Sequence, residues 1–180
     1  MKKIFTRKNN EQNLGKKDFF HLCVWIFVIG CLFGYIVEVL YSLAWNGFFV
    51  NKQGMIYGPF NQVYGLGAVV FSLCLYKFRR ANIFVLFIAG ALLGGIFEFI
   101  CSYLQQIIFK SESWHYTTLP CSINGRTNLF HSVCWGILTV LFFKLFLPVV
   151  IRTFVKIPQT ARAVLTYSVL TFMVLNISLS

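Results

Sequence analysis

The chain carries little charge for its length, and acidic residues are its scarcest component. Only 12% of its 180 residues are charged, 58% are hydrophobic and the mean hydropathy is +0.72. Typical soluble domains carry about 25% charged residues, so this composition excludes a soluble globular domain. Twenty-one Phe residues also exclude a disordered chain, because disordered segments are poor in aromatic residues. The sequence therefore predicts an all-α integral membrane protein.

Signatures of catalysis and of metal binding are also absent from the sequence. Its six Cys residues form no CxxC pair, and only Cys121 lies outside the long apolar runs, so a disulfide framework is not expected. No Walker A, GxSxG or HExxH motif occurs. We therefore expect no catalytic residue, no metal ligand and no cofactor in this chain. A metal or acid–base site built from His115 and His131 with a membrane glutamate stays an alternative on residue type alone.

The basic residues concentrate in alternate connections between apolar runs. They are Lys2, Lys3, Arg7, Lys8, Lys16 and Lys17 before the first run, Lys77, Arg79 and Arg80 between the second and third, and Arg152, Lys156 and Arg162 between the fourth and fifth. By the positive-inside rule, this bias predicts a multi-pass cell-membrane protein with a cytoplasmic N-terminus and a C-terminus outside. The expected partner is the lipid bilayer, because no basic groove interleaved with aromatic residues predicts nucleic-acid binding.

Five apolar runs predict five transmembrane helices. They cover about residues 19–43, 57–76, 81–109, 129–151 and 163–179. A basic tail, residues 1–18, precedes a four-helix membrane core, residues 19–151, and residues 152–180 form a basic connection and the fifth helix. The second run is strictly apolar only from Val63 to Tyr76, about 21 Å of helix, which is short for a crossing. Its helix is therefore expected to begin earlier, within 57–62, unless this segment is broken or re-entrant.

The first and third runs share the spacing GxxxGxxxE. The shared residues are Gly30, Gly34 and Glu38 in the first run and Gly90, Gly94 and Glu98 in the third, an offset of 60 residues. Each copy is followed by an outer connection and another apolar run. We therefore predict a parallel duplication of a two-helix unit, with repeats at about 19–76 and 81–151 and structured polar outer connections. Chance similarity between two apolar helices, in which Gly is common, is the alternative.

Two of the five acidic residues, Glu38 and Glu98, lie inside apolar runs. Each shares one helical face with two glycines, and such faces are where membrane helices approach one another. Because a charged carboxylate at the bilayer centre costs at least about 2.5–3.5 kcal/mol, each is expected to point at another helix or a cavity. Arg126 and Lys52, in the outer connections, are the candidate ionic partners. The glutamates are therefore either a substrate or proton site, or an ion pair that locks the bundle.

The outer connections carry an ordered set of motifs. These are Gly58-Pro59, Tyr64-Gly65 with Gly67, Trp114 with Tyr116, Asn124-Gly125-Arg126, and Trp135-Gly136. Together with the membrane glutamates, the motifs resemble the CmpB-like family of small membrane proteins, described as type IV ABC-transporter permeases, over about residues 19–150. Gln62, His115 and Ser122 stand where the family usually has Pro, Asp and Asn, which indicates a divergent member.

The two membrane glutamates predict a transporter or permease component with an outward-facing polar cavity. The family resemblance implies the same function. The residues expected to bind a substrate or proton are Glu38, Glu98, Arg126, Asn124, Tyr64, Asn51 and Trp135, and those expected to shape the connections are Gly58, Pro59, Gly65 and Gly125. Since the chain has no ATPase motif, ATP hydrolysis requires a separate ATPase subunit, and so short a chain is expected to form a homo-oligomer. An intramembrane enzyme acting on lipid or a lipid-linked substrate, and a non-catalytic accessory protein, are the alternatives.

Overall fold

The described part of the chain folds as a bundle of five apolar helices. The structure, a computed structural model, describes residues 16–112 and 114–180, so most of the predicted tail, residues 1–18, lies outside the described residues. The helices are α1 (Lys16–Asn46), α2 (Gln62–Leu75, extended by a 3₁₀ turn, Tyr76–Phe78), α3 (Ile83–Phe109), α4 (Leu129–Lys156) and α5 (Gln159–Leu179). Four of them are long and apolar enough to cross a membrane, and α2 is shorter. The prediction of an all-α membrane protein with about five helices is confirmed.

The fourth helix contains a π turn at Phe142–Phe146. Pro148 explains the widened turn, because its nitrogen carries no hydrogen for the carbonyl of Lys144 and its ring crowds that carbonyl. The helix continues beyond the turn. Phe146, the last residue of the turn, packs against Phe33 of α1, with the ring centroids 4.2 Å apart.

The second helix begins at Gln62, the last residue of the expected range, so the helix extends by one residue only and residues 57–61 are not helical. Asn61 caps the helix, since its side chain accepts a hydrogen bond from the Val63 N–H at 3.2 Å, as Asn favours at an N-cap. The Asn61 N–H itself donates to the carbonyl of Cys31, halfway along α1, at 3.0 Å. The chain before α2 therefore enters the bundle as irregular backbone, which is the alternative that the sequence left open.

The irregular segment before α2 packs against the last helix. The Asn176 side chain of α5 accepts a hydrogen bond from the Tyr57 N–H at 2.9 Å and donates to the Tyr57 carbonyl at 2.6 Å. Met55, two residues earlier, is buried in a cluster with Met173 of α5. Irregular backbone is tolerated at membrane depth only where the protein or a water-filled cavity satisfies its polar groups. The α5 helix supplies that partner, so it is part of the packed bundle.

The end of the bundle that holds the α2–α3 and α4–α5 connections is here called the basic end. Two basic side chains stabilise it. Arg162 of α5 forms an ion pair with Asp18 of α1, with Nη1 and Oδ1 3.1 Å apart, and donates to the Ile157 carbonyl at 2.7 Å. Lys144 of α4 donates to the carbonyl of Ala81 at 2.7 Å. Both side chains therefore bind backbone carbonyls of the connections, which lie far from the membrane glutamates.

Close contacts between helices occur at the two GxxxGxxxE motifs. A Cβ at Gly34 would overlap the Tyr64 side chain of α2, and a Cβ at Gly94 would overlap the Trp135 side chain of α4. Small-residue faces allow such approach in membrane helices. The rings of Tyr64 and Trp135 stack on each other with centroids 5.5 Å apart. Two closely packed helix pairs, α1 with α2 and α3 with α4, therefore meet through these two rings.

Replacing either contact glycine with alanine is expected to destabilise the bundle. Gly34→Ala and Gly94→Ala each place a Cβ against an aromatic side chain, and such overpacking typically costs about 1–3 kcal/mol. We expect a lower melting midpoint and a lower yield of monodisperse protein, measured by thermal unfolding and size-exclusion chromatography in one detergent. Gly54→Ala is the matched control, because a Cβ there would lie 3.7 Å from its nearest neighbour. Equal midpoints for all three variants would contradict the packing described.

Candidate functional site

A cavity of about 450 Å³ lies among the helices, and both membrane glutamates line it. Glu38 comes from α1 and Glu98 from α3, so each helix pair contributes one carboxylate. The remaining wall is largely aromatic and aliphatic, and its polar members include Lys52, Tyr116 and His131. Lys52 and Tyr116 belong to the connections 47–61 and 110–128. The cavity therefore lies toward the end of the bundle that holds these connections, here called the loop end.

Glu38 accepts a hydrogen bond from the hydroxyl of Tyr64 at 2.7 Å. Gly34, one turn earlier on the same face of α1, makes this contact possible, since a side chain there would displace the Tyr64 ring. The other side of the ring stacks on Trp135. The bundle thus holds the Tyr64 hydroxyl in a fixed position against the carboxylate.

Glu98 is 6% exposed and accepts hydrogen bonds at both carboxylate oxygens. The Thr127 hydroxyl donates at 2.8 Å and the Tyr116 hydroxyl at 3.1 Å. Both donors lie in the 110–128 connection, in which the Tyr116 N–H donates to the Gly125 carbonyl at 2.7 Å. This connection therefore folds back against α3 and supplies the polar partners of a buried carboxylate.

Neither glutamate forms an ion pair with another residue in the described part of the chain. Arg126, one of the predicted ionic partners, donates instead to Ser102 Oγ at 3.2 Å and to the Gln106 side chain. Lys52, the other predicted partner, lines the cavity and forms no ion pair with a residue of 16–112 or 114–180. Hydroxyl donors thus take the place of the ion pair that the sequence offered as an alternative.

The cavity brings together part of the predicted site. The predicted residues that line it are Glu38, Glu98, Tyr64 and Trp135. Asn51, Asn124 and Arg126 are not among the lining residues. The Asn51 side chain accepts a hydrogen bond from the Gln53 N–H at 3.2 Å within its own loop, and Asn124 occupies an exposed turn with a φ of +51°. These three residues shape the connections, and the structure gives them no contact with the cavity.

The predicted loop residues divide in the same way. Gly58 and Gly125 have φ values of +85° and +71°, a left-handed conformation that glycine adopts without steric cost, and Pro59 follows Gly58 in irregular backbone. Gly65 is not a loop residue, contrary to the prediction, because it lies in the first turn of α2. A Cβ at Gly65 would lie 2.8 Å from the carbonyl oxygen of Phe27, so close helix packing explains this glycine.

Two hydroxyl donors at the site, Tyr116 and Thr127, were not among the residues predicted to bind. Tyr116 belongs to one of the sequence motifs, but that motif indicated no role for its hydroxyl. Thr127 lies 29 positions after Glu98, and no sequence spacing links the two residues. Burial and then the negative charge of Glu98 raise the pKa of the Tyr116 hydroxyl, so it stays a donor at neutral pH. The Tyr116 ring also stacks on His131 with centroids 4.1 Å apart, which places an imidazole at the cavity wall.

This arrangement favours positive charge. Two carboxylates face the cavity and accept hydrogen bonds from neutral hydroxyl groups, and no described residue forms an ion pair with either. Within 16–112 and 114–180, no group of three or more His, Cys, Asp or Glu side chains is arranged to hold a metal ion. The site is chemically suited to a proton or to a cationic group of a larger molecule.

Comparison with known proteins supports the resemblance seen in the motifs. A family model described as "Putative ABC-transporter type IV" matches residues 25–180. The match includes α2 to α5, most of α1 and every residue that lines the cavity. No curated protein and no solved structure matches the chain. Because the family model spans most of the sequence, the chain belongs to the CmpB family of ABC-transporter type IV membrane proteins.

Proposed function

We propose that the chain is a permease component of a transporter and that the cavity around Glu38 and Glu98 binds a proton or a cationic group. The observation that carries the proposal is that two intramembrane carboxylates line one cavity with hydroxyl donors instead of ionic partners. Ionisable residues inside membranes are costly and commonly mark substrate or ion pathways. An ion pair cancels charge within the protein, whereas hydroxyl donors leave a negative charge that a ligand can balance.

In this proposal the aromatic residues and the connections have separate roles. Tyr64 orients Glu38, and Trp135 closes the wall behind it. Arg126 holds the 110–128 connection against α3. Its carbonyl accepts a hydrogen bond from Trp114 Nε1 at 3.0 Å, and its guanidinium donates to Ser102 of α3. Asn124 holds the turn beside it. A substrate therefore contacts the helices directly, the 110–128 connection through Trp114 and Tyr116, and the 47–61 connection through Lys52.

We infer that the two helix pairs arose by duplication of one unit. The matched close contacts are Gly30 with Ala68 and Gly90 with Thr139, then Gly34 with Tyr64 and Gly94 with Trp135. These contacts repeat with shifts of 60 residues in the first helix of each pair and 71 in the second. Parallel repeats are related by an axis along the membrane normal. Such an axis explains why equivalent glutamates from α1 and α3 face a single cavity.

The proposed orientation places the basic end in the cytoplasm and the loop end outside. The α2–α3 connection and its flanks carry Lys77, Arg79 and Arg80, whereas the 47–61 connection carries only Lys52. Lys and Arg are enriched in cytoplasmic loops. The cavity, which lies toward the loop end, therefore opens to the outside in this proposal.

The proposed transporter also contains a separate ATPase subunit and more than one copy of this chain. Membership of an ABC-transporter family supports an ATPase partner, and the chain itself carries no Walker A motif for binding ATP. Five helices also form a small membrane domain for a complete transporter. A second copy supplies the remaining helices.

Glutamine in place of either cavity glutamate is expected to abolish stabilisation by a bound cation. Glutamine keeps the size and an acceptor oxygen but removes the negative charge. Saturating ligand, at about 100 times its Kd, stabilises a protein by about 2.7 kcal/mol, which raises the melting midpoint by about 5–10 °C for a chain of this size. We expect this rise in wild type for at least one of sodium, magnesium and butylammonium chloride, and none in Glu38→Gln or Glu98→Gln, measured in lipid nanodiscs.

Glu112→Gln is the matched control for this experiment. Glu112 lies at the same end of the bundle, where it pairs with His115 at 2.9 Å outside the cavity, so the variant is expected to respond as wild type does. A full response to every probe in both cavity variants would overturn the proposed site. Loss of folded protein in both variants without any probe would assign the carboxylates a structural role instead.

The orientation predicts which cysteine a membrane-impermeant maleimide labels in intact cells. Cys121 is exposed at the loop end, so in a variant that keeps only this cysteine we expect labelling from outside. Lys77 is exposed at the basic end, and Lys77→Cys in a cysteine-free background is expected to react only after the membrane is permeabilised. The reverse pattern would invert the topology.

The subunit composition predicts the mass of the complex extracted gently from its own membranes. Native mass spectrometry is expected to find at least two copies of this chain together with a soluble subunit that contains a Walker A motif. A complex of this chain with lipid alone, stable under the same extraction, would refute the ATPase partner and leave an ATP-independent permease.

A further inference from the structure

We propose that the cavity takes one organic ammonium ion with a single positive charge and an apolar body, and that Lys52 sets this charge preference. The inference rests on the proposed function, because it names the ligand class of the same cavity. Three observations carry it: the composition of the walls, the volume of the cavity, and one lysine that lines the same cavity as two carboxylates.

The walls of the cavity suit an organic body attached to the cation. The rings of Tyr41, Tyr64, Trp114 and Trp135 line it, with aliphatic side chains such as Leu138 between them. Cations bind favourably over the faces of such rings. Apolar walls that surround a small number of charged groups are typical of small-molecule pockets, in which the charged groups fix the orientation of the ligand.

The volume of the cavity also favours a molecule over a bare ion. Its volume of about 450 Å³ lies within the range of ligand pockets, about 300–1,000 Å³. Ca²⁺ takes about 6–8 oxygen ligands, and Mg²⁺ requires a compact octahedron. In the described ranges no cluster of His, Cys, Asp and Glu side chains is arranged for a metal, and the hydroxyls of Tyr64, Tyr116 and Thr127 already donate to the carboxylates. An ammonium group has three N–H donors, of which one can bond a carboxylate oxygen while the cation lies over the faces of the lining rings.

Lys52 limits the charge that the cavity can accept. When both carboxylates are ionised and His131 is neutral, the two carboxylates and Lys52 give the lining a net charge of −1. One ammonium ion balances that charge, and a second positive charge on the same ligand meets repulsion from Lys52. Lys52 is exposed on the 47–61 connection, and its flexible stem lets the ammonium approach whichever carboxylate the ligand leaves open.

The test compares two ligands with the same carbon chain and different charge, butylammonium and butane-1,4-diammonium. Their Kd values are measured by isothermal titration calorimetry on the full chain in nanodiscs of zwitterionic lipid. Wild type is expected to bind butylammonium more tightly than the diammonium. In Lys52→Gln the ratio of the butylammonium Kd to the diammonium Kd is expected to rise about tenfold or more, the equivalent of about 1.4 kcal/mol, because the second ammonium replaces the lost lysine.

Lys110→Gln is the matched control, since Lys110 is exposed in the other connection and does not line the cavity. Its ratio of Kd values is expected to equal that of wild type. An equal ratio in Lys52→Gln would overturn the role of Lys52, and Lys52→Met provides a second neutral variant should the first fail to fold. Glu38→Gln is expected to weaken both ligands at least about 100-fold, because a close charge pair near a protein surface contributes at least that much to binding.

The same titrations separate failure of this inference from failure of the proposed function. Stabilisation by sodium or magnesium that requires Glu38 and Glu98, with no binding of butylammonium, would overturn the organic ligand and leave the cation site in place. Absence of any glutamate-dependent response to all four probes would overturn both. Binding of butylammonium that is equal in wild type and in both glutamate variants would show partition into lipid and also overturn the inference.

Discussion

Two carboxylates inside apolar helices require polar partners, and the architecture of the loop end follows from that requirement. Helix backbone groups bond one another, so the partners must be side chains or connecting segments. The 110–128 connection supplies two hydroxyls to Glu98, and this connection therefore folds against α3. Glu38 receives one hydroxyl from Tyr64, in the first turn of α2. The position at which α2 begins therefore decides whether that hydroxyl reaches Glu38.

Close helix contacts are the second condition, because a hydroxyl reaches a carboxylate on a neighbouring helix only if the two helices nearly touch. Gly34 admits the Tyr64 ring beside Glu38, and Gly94 admits Trp135 behind it. The irregular chain before α2 must then fit inside the bundle. Asn176 makes this possible by binding both backbone polar groups of Tyr57. Small residues on one side and a single amide on the other thus allow the aromatic rings and the irregular segment to fit within the bundle.

The sequence was sufficient to predict the parts of the fold that depend on local composition. Long apolar runs indicated five helices, and the GxxxGxxxE spacing indicated which helical faces pack closely. The start of α2 was predicted only as the range 57–62, because hydropathy gives no weight to the N-cap at Asn61, which begins the helix at Gln62. The partners of Glu98 could not be predicted, since Thr127 lies 29 residues away and nothing local relates a loop hydroxyl to a helix carboxylate. Arg126 was predicted to pair with a membrane glutamate because of its charge alone, whereas its guanidinium donates hydrogen bonds to Ser102 and Gln106.

The two carboxylates are not equivalent in the proposed site. Glu98 is 6% exposed and both of its oxygens accept hydroxyl hydrogen bonds, whereas Glu38 is less buried and accepts one, at Oε1. A ligand bonded directly to Glu98 must displace a hydroxyl donor, and a buried polar group left unsatisfied costs about 1–3 kcal/mol. A ligand at Glu38 meets Oε2, to which no described residue donates, beside the ring of Tyr64. In the proposed site, the positive charge of the ligand would therefore lie at Glu38, while Glu98 would attract it from a fixed position.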